Sequence, residues 1–525
     1  MSGWARYSTR RTSAAAPATP IARGHASRGT AGGGPLAEGR SRTVDALVTA
    51  ARYPKFGSPI EFRFVLDESL VREVLRTAVA SGGRLAEVFA EERRSTSLRL
   101  DDRRVEELST GIDRGAGVRV VAGNTSSYAH SNRLDREALL DAARAAAAAA
   151  TGGEPVGVID FSRPEPAVVH PPEEVADGIP RETKVAWVQE ADDAARSYAA
   201  EVRQVGVAYG DSVQRLLVAT SDGRWVEEER HRLRLIVSVV AARDGVRQTG
   251  FEGPAALGGV ELLRKHPPAE IARRAATQAV TMLDGVPAPA GEMPVVVGPA
   301  GGGVLFHEAC GHGLEADTMG KGASIYRGRR GERLGSRLVN GVDDATVPGE
   351  WGSFSFDDEG SPAERTELFR EGELVGFLYD RYWSDRDGEH STGNGRRQSY
   401  AHLPIPRMTN TSILPGDADP EDVVADTRRG LYAKLLGGGQ VNPATGDFVF
   451  GVTEAYLIED GKITSPVRGA NLVGNGIDIL RAVDAVASDF DARPGTCGKD
   501  GQGVPVSTGS PTLRIARMTV GGTGG

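Results

Sequence analysis

Residues 213–251, "VQRLLVATSDGRWVEEERHRLRLIVSVVAARDGVRQTGF", decide the fold class. Apolar and polar residues alternate along this stretch, and the pairs Asp222-Gly223 and Asp244-Gly245 punctuate it as tight turns. Short turns force antiparallel neighbours. "RQVGVAYG" just upstream reads as a further strand, while the flanking runs "RETKVAWVQEADDAARSYAAEV" and "PAEIARRAATQAVTML" read as helices. Meandering strands with helices to one side predict an α+β fold rather than a doubly wound parallel sheet.

Further towards the N-terminus, "LDESLVREVLRTAVASGG" carries Leu70, Val71, Val74, Leu75 and Ala78 at helical spacing, with Asp67 as the cap and Gly82 as the stop. Alternating runs follow in "AEVFAEERRSTSLRLDDRRVEEL" and "GAGVRVVAGNTSSYAH". The Ala-rich helix "LDREALLDAARAAAAAATGG" comes next, ended by paired glycines. Towards the C-terminus, a Pro/Gly junction leads into the short strand "PVVVGP" and then into a part dominated by strand-like pieces and glycine turns. Its helices are expected around residues 420–434 and 475–487. The predicted organisation is a disordered tail over residues 1–62, an N-terminal antiparallel-sheet and helix region over 63–290 with a break near 152–180, and a strand-rich C-terminal catalytic domain over 291–525.

The 525 residues, with 39% hydrophobic and 25% charged, suit a globular protein of two or three domains. A net charge of −9 gives no electrostatic footprint for nucleic acid or an anionic membrane. Two cysteines, Cys310 and Cys497, make no disulfide framework, and no apolar run approaches the roughly 20 residues of a membrane span. The reading is a protein of the cytoplasm. The tail is rich in Arg, Ser, Ala and Gly and lacks an apolar signal core, which fits an inert extension or a start codon placed upstream better than a transit peptide.

The concentrated chemistry lies in "FHEACGHGLEAD", residues 306–317. A zinc-hydrolase helix places two histidines four apart with a glutamate after the first; here His307 and His312 are five apart. At about 100° per residue, five residues turn the second side chain about 140° away from the first, so a regular helix would not chelate. Either a π-bulge or a helix break is required between them, and Gly311 and Gly313 weaken helix at that point. A hydrolytic zinc site needs a third ligand and an open position. Cys497, in the glycine-rich loop "GTCGKDGQGVP", is one candidate, Cys310 a rival better read as a small packed core residue, and Glu315 and Asp317 either ligate or orient a histidine. Glu308, beside the first histidine, is placed to deprotonate the water that a metal would activate, which describes amide hydrolysis.

Several stretches carry a family resemblance: "FHEACGHGLEAD", "DDEGSPAERTELFREGELVGFLYDR", "STGNGRRQSYAHLPIPRMTNT", "GGGQVNPATGDFVFGVTEAYLIEDGKI" and "PGTCGKDGQGVPVSTGSPTLRI". In these the chain resembles the catalytic, His-Glu-x-x-x-His-bearing members of the TldD/TldE (PmbA) metalloproteases. The resemblance extends more loosely to "GAGVRVVAG" and "VRQTGFEG", from about residue 65 onwards. It implies zinc held by His307, His312 and Cys497, with Glu308 as general base, and so selects Cys497 over Cys310. It also implies a TldE/PmbA-like partner in a heterodimer and unfolded peptides, held extended, as substrates. Two rival classes are a non-catalytic regulatory or scaffold subunit and a metal-dependent hydrolase of non-peptide amides.

The acidic run Asp357, Asp358 and Glu359 reads as a turn or as groups positioning others, in preference to a Ca²⁺ site. Asn394, Arg396, Arg397 and Tyr400 are candidates for substrate contact or oxyanion stabilisation. His402 reads as structural. The glycine triplets at 301–303 and 437–439 lack the Lys-Ser/Thr continuation of a nucleotide loop.

Overall fold

A computed structural model describes residues 66–150 and 156–522; the expected tail and the paired glycines at 152–153 lie outside the described residues. Helix α1 (Glu68–Val79) starts where the Asp67 carboxylate accepts the Ser69 N–H, and it buries Val71, Val74, Leu75 and Ala78 as its spacing predicts. With α2 (Arg136–Ala149) it covers the hairpin of β1 (Leu85–Asp101) and β2 (Arg104–Ala122), which β3 (Thr125–Ser131) extends. Helix α3 (Arg181–Arg196), the short α4 (Glu261–Lys265) and α5 (Pro268–Thr281) pack on β4 (Val202–Thr220) and β5 (Trp225–Arg243). Strand β6 (Val246–Glu252) and the short β7 (Ala255–Leu257) both pair with β5.

The strands run in the order β3-β2-β1-β4-β5-β6, and every pairing is antiparallel. This is the α+β arrangement expected from the turns. At the β5–β6 turn both Asp244 and Gly245 have positive φ (50° and 82°), the combination that a two-residue hairpin turn needs to match strand twist. Val88 and Ala90 face the helices, so Phe89 between them faces the other way, where it packs with Leu216, Val218, Val226 and Phe356 of the C-terminal part. Buried ion pairs cross this joint: Arg119 with Glu359, Arg397 with Glu87, and Arg230 with Asp358.

In the C-terminal part, strands Gly291–Val297, Leu513–Gly521, Asn471–Asn475, Asp447–Glu459 and Arg429–Val441 pair in that order, and the last returns to the first to close a ring. A second sheet ends in the strands Asn410–Ile413, Gln502–Ser510 and Asp491–Lys499, the last lying at its edge. Helix α6 (Gly301–Ala309) lies against Gln502–Ser510. No described helix is long and apolar enough to cross a membrane.

Three local expectations need correction. The helix expected over 420–434 stops at Ala425, and Arg429–Val441 is a strand instead. Gly430 marks the change, since a Cβ there would meet the Pro294 carbonyl oxygen at 2.5 Å in the neighbouring strand. The helix expected over 475–487 spans Gly476–Ala482 and gives way to strand Val483–Val486. The glycine-rich loop around Cys497 is an antiparallel hairpin, turned by Asp500 and Gly501 with φ of 49° and 75°.

The glycines of α6 fit the helix to the sheet. A Cβ on Gly303 would come within 2.4 Å of the Gly509 backbone nitrogen, so the helix can approach only where no side chain intervenes. Gly303→Ala should therefore destabilise the fold by about 1–3 kcal/mol, read as a lower urea midpoint; an unchanged midpoint would contradict this packing.

Candidate metal centre

The two histidines reach one place because the helix breaks between them. Helix α6 ends at Ala309, Cys310 leaves helical geometry (φ −122°, ψ −51°), and a 3₁₀ turn spans Gly311–Leu314. The break, rather than a π-bulge, accommodates the extra residue. Gly311 contributes by its size more than by its freedom of φ, since a Cβ there would collide with Met408 Sδ at 1.9 Å.

Opposite the break, the hairpin presents Cys497. Its Sγ lies 3.2 Å from His307 Nε2 and 3.4 Å from His312 Nε2, and these three donor atoms all lie within 4.8 Å of one another. For bonds of about 2.0–2.1 Å to nitrogen and about 2.3 Å to sulfur, a tetrahedral ion needs N···S edges of roughly 3.5 Å. The three residues fit that requirement and could hold a metal. Each imidazole offers Nε2, and the Glu315 carboxylate sits 3.1 Å from His312 Nδ1, which fixes the ring's orientation.

The electrostatics favour an anionic sulfur. Burial raises the Cys497 thiol, but the charges and hydrogen bonds of His307 and His312 outweigh it and bring its pKa down to about 4. Burial lowers His312, yet Glu315 and Cys497 more than reverse this and hold it well above the usual imidazole range. Glu315 is disfavoured as an anion by burial and rescued by Lys499, His312 and Arg407, which bring it to about 2. A thiolate beside two imidazoles is the donor set that a cation takes up by displacing imidazole protons.

Glu308 faces the same space with its side chain 27% exposed and Oε2 3.8 Å from His312 Nε2. The surrounding cavity, about 1120 Å³, is lined by His307, Glu308, His312 and Cys497 together with Gly437, Gly438, Gly439, Arg493 and Lys499. The glycine triplet at 437–439 thus belongs to the cavity wall as strand, with no phosphate-loop geometry. Lys499 was not singled out in the sequence. It donates to Glu315 (2.9 Å) and Asp317, so both acids anchor the lysine, and Glu315 alone of the two orients His312. Its spacing of two from Cys497 along a strand was the available signal.

Other candidates lie elsewhere. Cys310 is fully buried under Tyr326, its hydroxyl 3.4 Å away, and burial pushes the thiol up to about 12, as a packed core residue requires. Asn394 donates to Asp343 and to the Arg407 carbonyl, Arg396 to the Met408 carbonyl and Arg397 to Glu87, all buried and outside the cavity wall. Tyr400 packs at the interdomain joint, and His402 bonds Ser399 Oγ at 2.9 Å. None of these four polar candidates, nor His402, faces the histidines. Asp357, Asp358 and Glu359 are buried rather than a solvated turn: Asp357 accepts the Ser361 and Gly395 N–H groups, while Asp358 and Glu359 take arginines from the N-terminal sheet.

The two thiols should separate by reactivity. At pH 6, above the Cys497 value of about 4 and far below the Cys310 value of about 12, only Cys497 is a thiolate. Iodoacetamide should modify chelator-treated protein at Cys497 and leave Cys310 intact by peptide mass mapping. Preferential labelling of Cys310 would contradict the assigned environments.

Comparison with known proteins agrees with this architecture. Residues 86–150, 175–283 and 290–522 match, in turn, domain 1, the central domain and the C-terminal domain of the PmbA/TldA metallopeptidases. The chain is 39% identical over 433 residues to a metalloprotease TldD homolog of Haemophilus influenzae, covering 81% of this chain and 90% of that one. It is 35% identical over 244 residues to a zinc metalloprotease TldD homolog of Saccharolobus solfataricus, covering 46% of this chain and 54% of that one. The crystal structure of TldE from Thermococcus kodakarensis shares the fold, with a TM-score of 0.73 at 21% identity, over 86% of this chain and all of that one. The chain is a member of the TldD branch of the PmbA/TldA metallopeptidase family.

Proposed function

We propose that this chain is a zinc-dependent peptidase in which His307, His312 and Cys497 hold the ion and Glu308 is the general base. The observation that carries the reading is the convergence of two Nε2 atoms and one Sγ within 4.8 Å, with the Glu308 carboxylate beside them. One thiolate with two imidazoles suits zinc better than a hard cation such as Mg²⁺ or Ca²⁺. The zinc in the name of the Saccharolobus relative supports the same choice.

A bound zinc supplies Lewis acidity, lowering the pKa of a water and polarising a carbonyl. The chain's own groups do the rest. Glu308 accepts the proton of the attacking water and returns it to the departing amine. Glu315 keeps His312 in the tautomer that leaves Nε2 free to donate electrons, and Lys499 keeps Glu315 ionised beside it. Substrates are unfolded peptides in extended form. The cavity, about 1120 Å³, has room for a segment of peptide chain. A homologous TldE-like subunit is the proposed partner, supported by the shared fold with the Thermococcus protein. Two unpaired thiols fit work in the cytoplasm.

Co-expressed with such a partner, Glu308→Ala should retain bound zinc while losing about 10²–10⁴-fold in peptide cleavage; undiminished cleavage would sink the role of Glu308. By elemental analysis, Cys497→Ala should lower zinc content far more than Cys310→Ala. The reverse ranking would mean that the wrong sulfur has been assigned.

A further inference from the structure

A second cavity, of about 360 Å³, lies between the N-terminal sheet and the C-terminal part and shares no wall residue with the histidine cavity. Six arginines line it, Arg93, Arg230, Arg232, Arg234, Arg396 and Arg397, against two carboxylates, Asp211 and Asp358. Most of these charges are matched. Arg93 pairs with Glu91, Arg230 with Glu228 and Asp358, Arg397 with Glu87, and Asp211 with Lys184. Arg234 is exposed.

Arg232 and Arg396 remain. They are 8% and 3% exposed, and neither forms an ion pair with a carboxylate among the described residues. Arg232 has one long hydrogen bond, 3.5 Å to the Ser353 carbonyl, and its Nε has no partner. Arg396 donates to the Met408 carbonyl. Trp351 and Phe354 flank the two guanidinium groups at 5.9 and 5.4 Å, which offsets only part of their desolvation. Burial, together with the like charges of Arg230, Arg396 and Arg93, outweighs the nearby Glu228 and pushes Arg232 well below the usual arginine range. A buried guanidinium without a counter-charge is among the least favourable arrangements in a protein interior.

We propose that this cavity binds an oxyanion, a phosphate group free or carried as a phosphomonoester, between Arg232 and Arg396. Neither guanidinium has a carboxylate in direct contact, since Glu228 and Asp358 are bonded to Arg230, and their planar forks suit phosphate oxygens. Ser95 and Ser212 on the same wall offer hydroxyl donors. Gly503 and Pro505 complete the wall, and Pro505 pairs with Thr496 in the cysteine hairpin. The anion thus joins β5 to the strands that position Cys497, and is a structural ligand set apart from the reaction.

The test compares the full chain in chloride, inorganic phosphate and glycerol phosphate at matched ionic strength and pH. The wild type should show saturable one-site binding by calorimetry and a melting temperature raised by about 1–2 °C at saturation. Arg232→Gln should melt in chloride no lower than the wild type, because like-charge repulsion is relieved, and should gain nothing from either phosphate. Tighter binding of glycerol phosphate assigns the site to phosphomonoesters; equal or tighter binding of inorganic phosphate assigns it to the free ion. No saturable heat in the wild type, or an equal gain in the variant, overturns the proposal. Calorimetry on the wild type decides the matter even if the variant fails to fold.

Discussion

Cys497 Sγ is held 3.2 Å from His307 Nε2 across 190 residues of chain, and the rest of the C-terminal part serves that one approach. Closing so long a loop costs little more entropy than closing a shorter one, because the penalty grows only with the logarithm of length. The demanding part is accuracy, since donor atoms must lie within tenths of an ångström of a shared centre. Two devices supply it. Gly303 lets α6 sit directly on Gln502–Ser510, and the Asp500-Gly501 turn fixes the register in which Cys497 opposes Val504. A slip of one residue would turn the sulfur to the opposite face.

The N-terminal sheet contributes no donor to this centre, yet it is not loosely attached. Its face opposite the helices meets the C-terminal part through Phe89 and Phe356 and through ion pairs so buried that removing one partner of any pair costs about 3–5 kcal/mol. Arginines from β2 and β5 and a glutamate from β1 therefore fix the segment 357–397. That segment carries Asn394, whose amide joins Asp343 to the Arg407 carbonyl, and Arg407 in turn donates to the Cys497 carbonyl. A chain of buried hydrogen bonds thus runs from the sheet joint to the hairpin of the proposed metal centre.

What the sequence made legible follows from local rules. Antiparallel order was readable because Asp-Gly turns leave the chain no other geometry, and the need for a helix break between His307 and His312 followed from helical pitch. The same Asp-Gly signal stood at residues 500–501 and would have revealed the hairpin bearing Cys497, but the surrounding glycines read as loop. The first half of the strand Arg429–Val441, to residue 434, was read as helix because its pairing partner, Gly291–Val297, lies far off in sequence. Burial of Asp357, Asp358 and Glu359 was equally hidden. Their arginine partners are Arg119 and Arg230, and only tertiary contact turns an apparently solvated acidic turn into a joint. The polar cluster Asn394, Arg396, Arg397 and Tyr400 looked like substrate machinery for the same reason.

The central claim is that two imidazoles and one distant thiolate form a single zinc centre. X-ray absorption at the zinc edge of the loaded protein measures this first shell directly. The account predicts one sulfur at about 2.3 Å with two imidazole nitrogens at about 2.0–2.1 Å, and loss of the sulfur scatterer in Cys497→Ala. A first shell of nitrogen and oxygen alone in the wild type would contradict it.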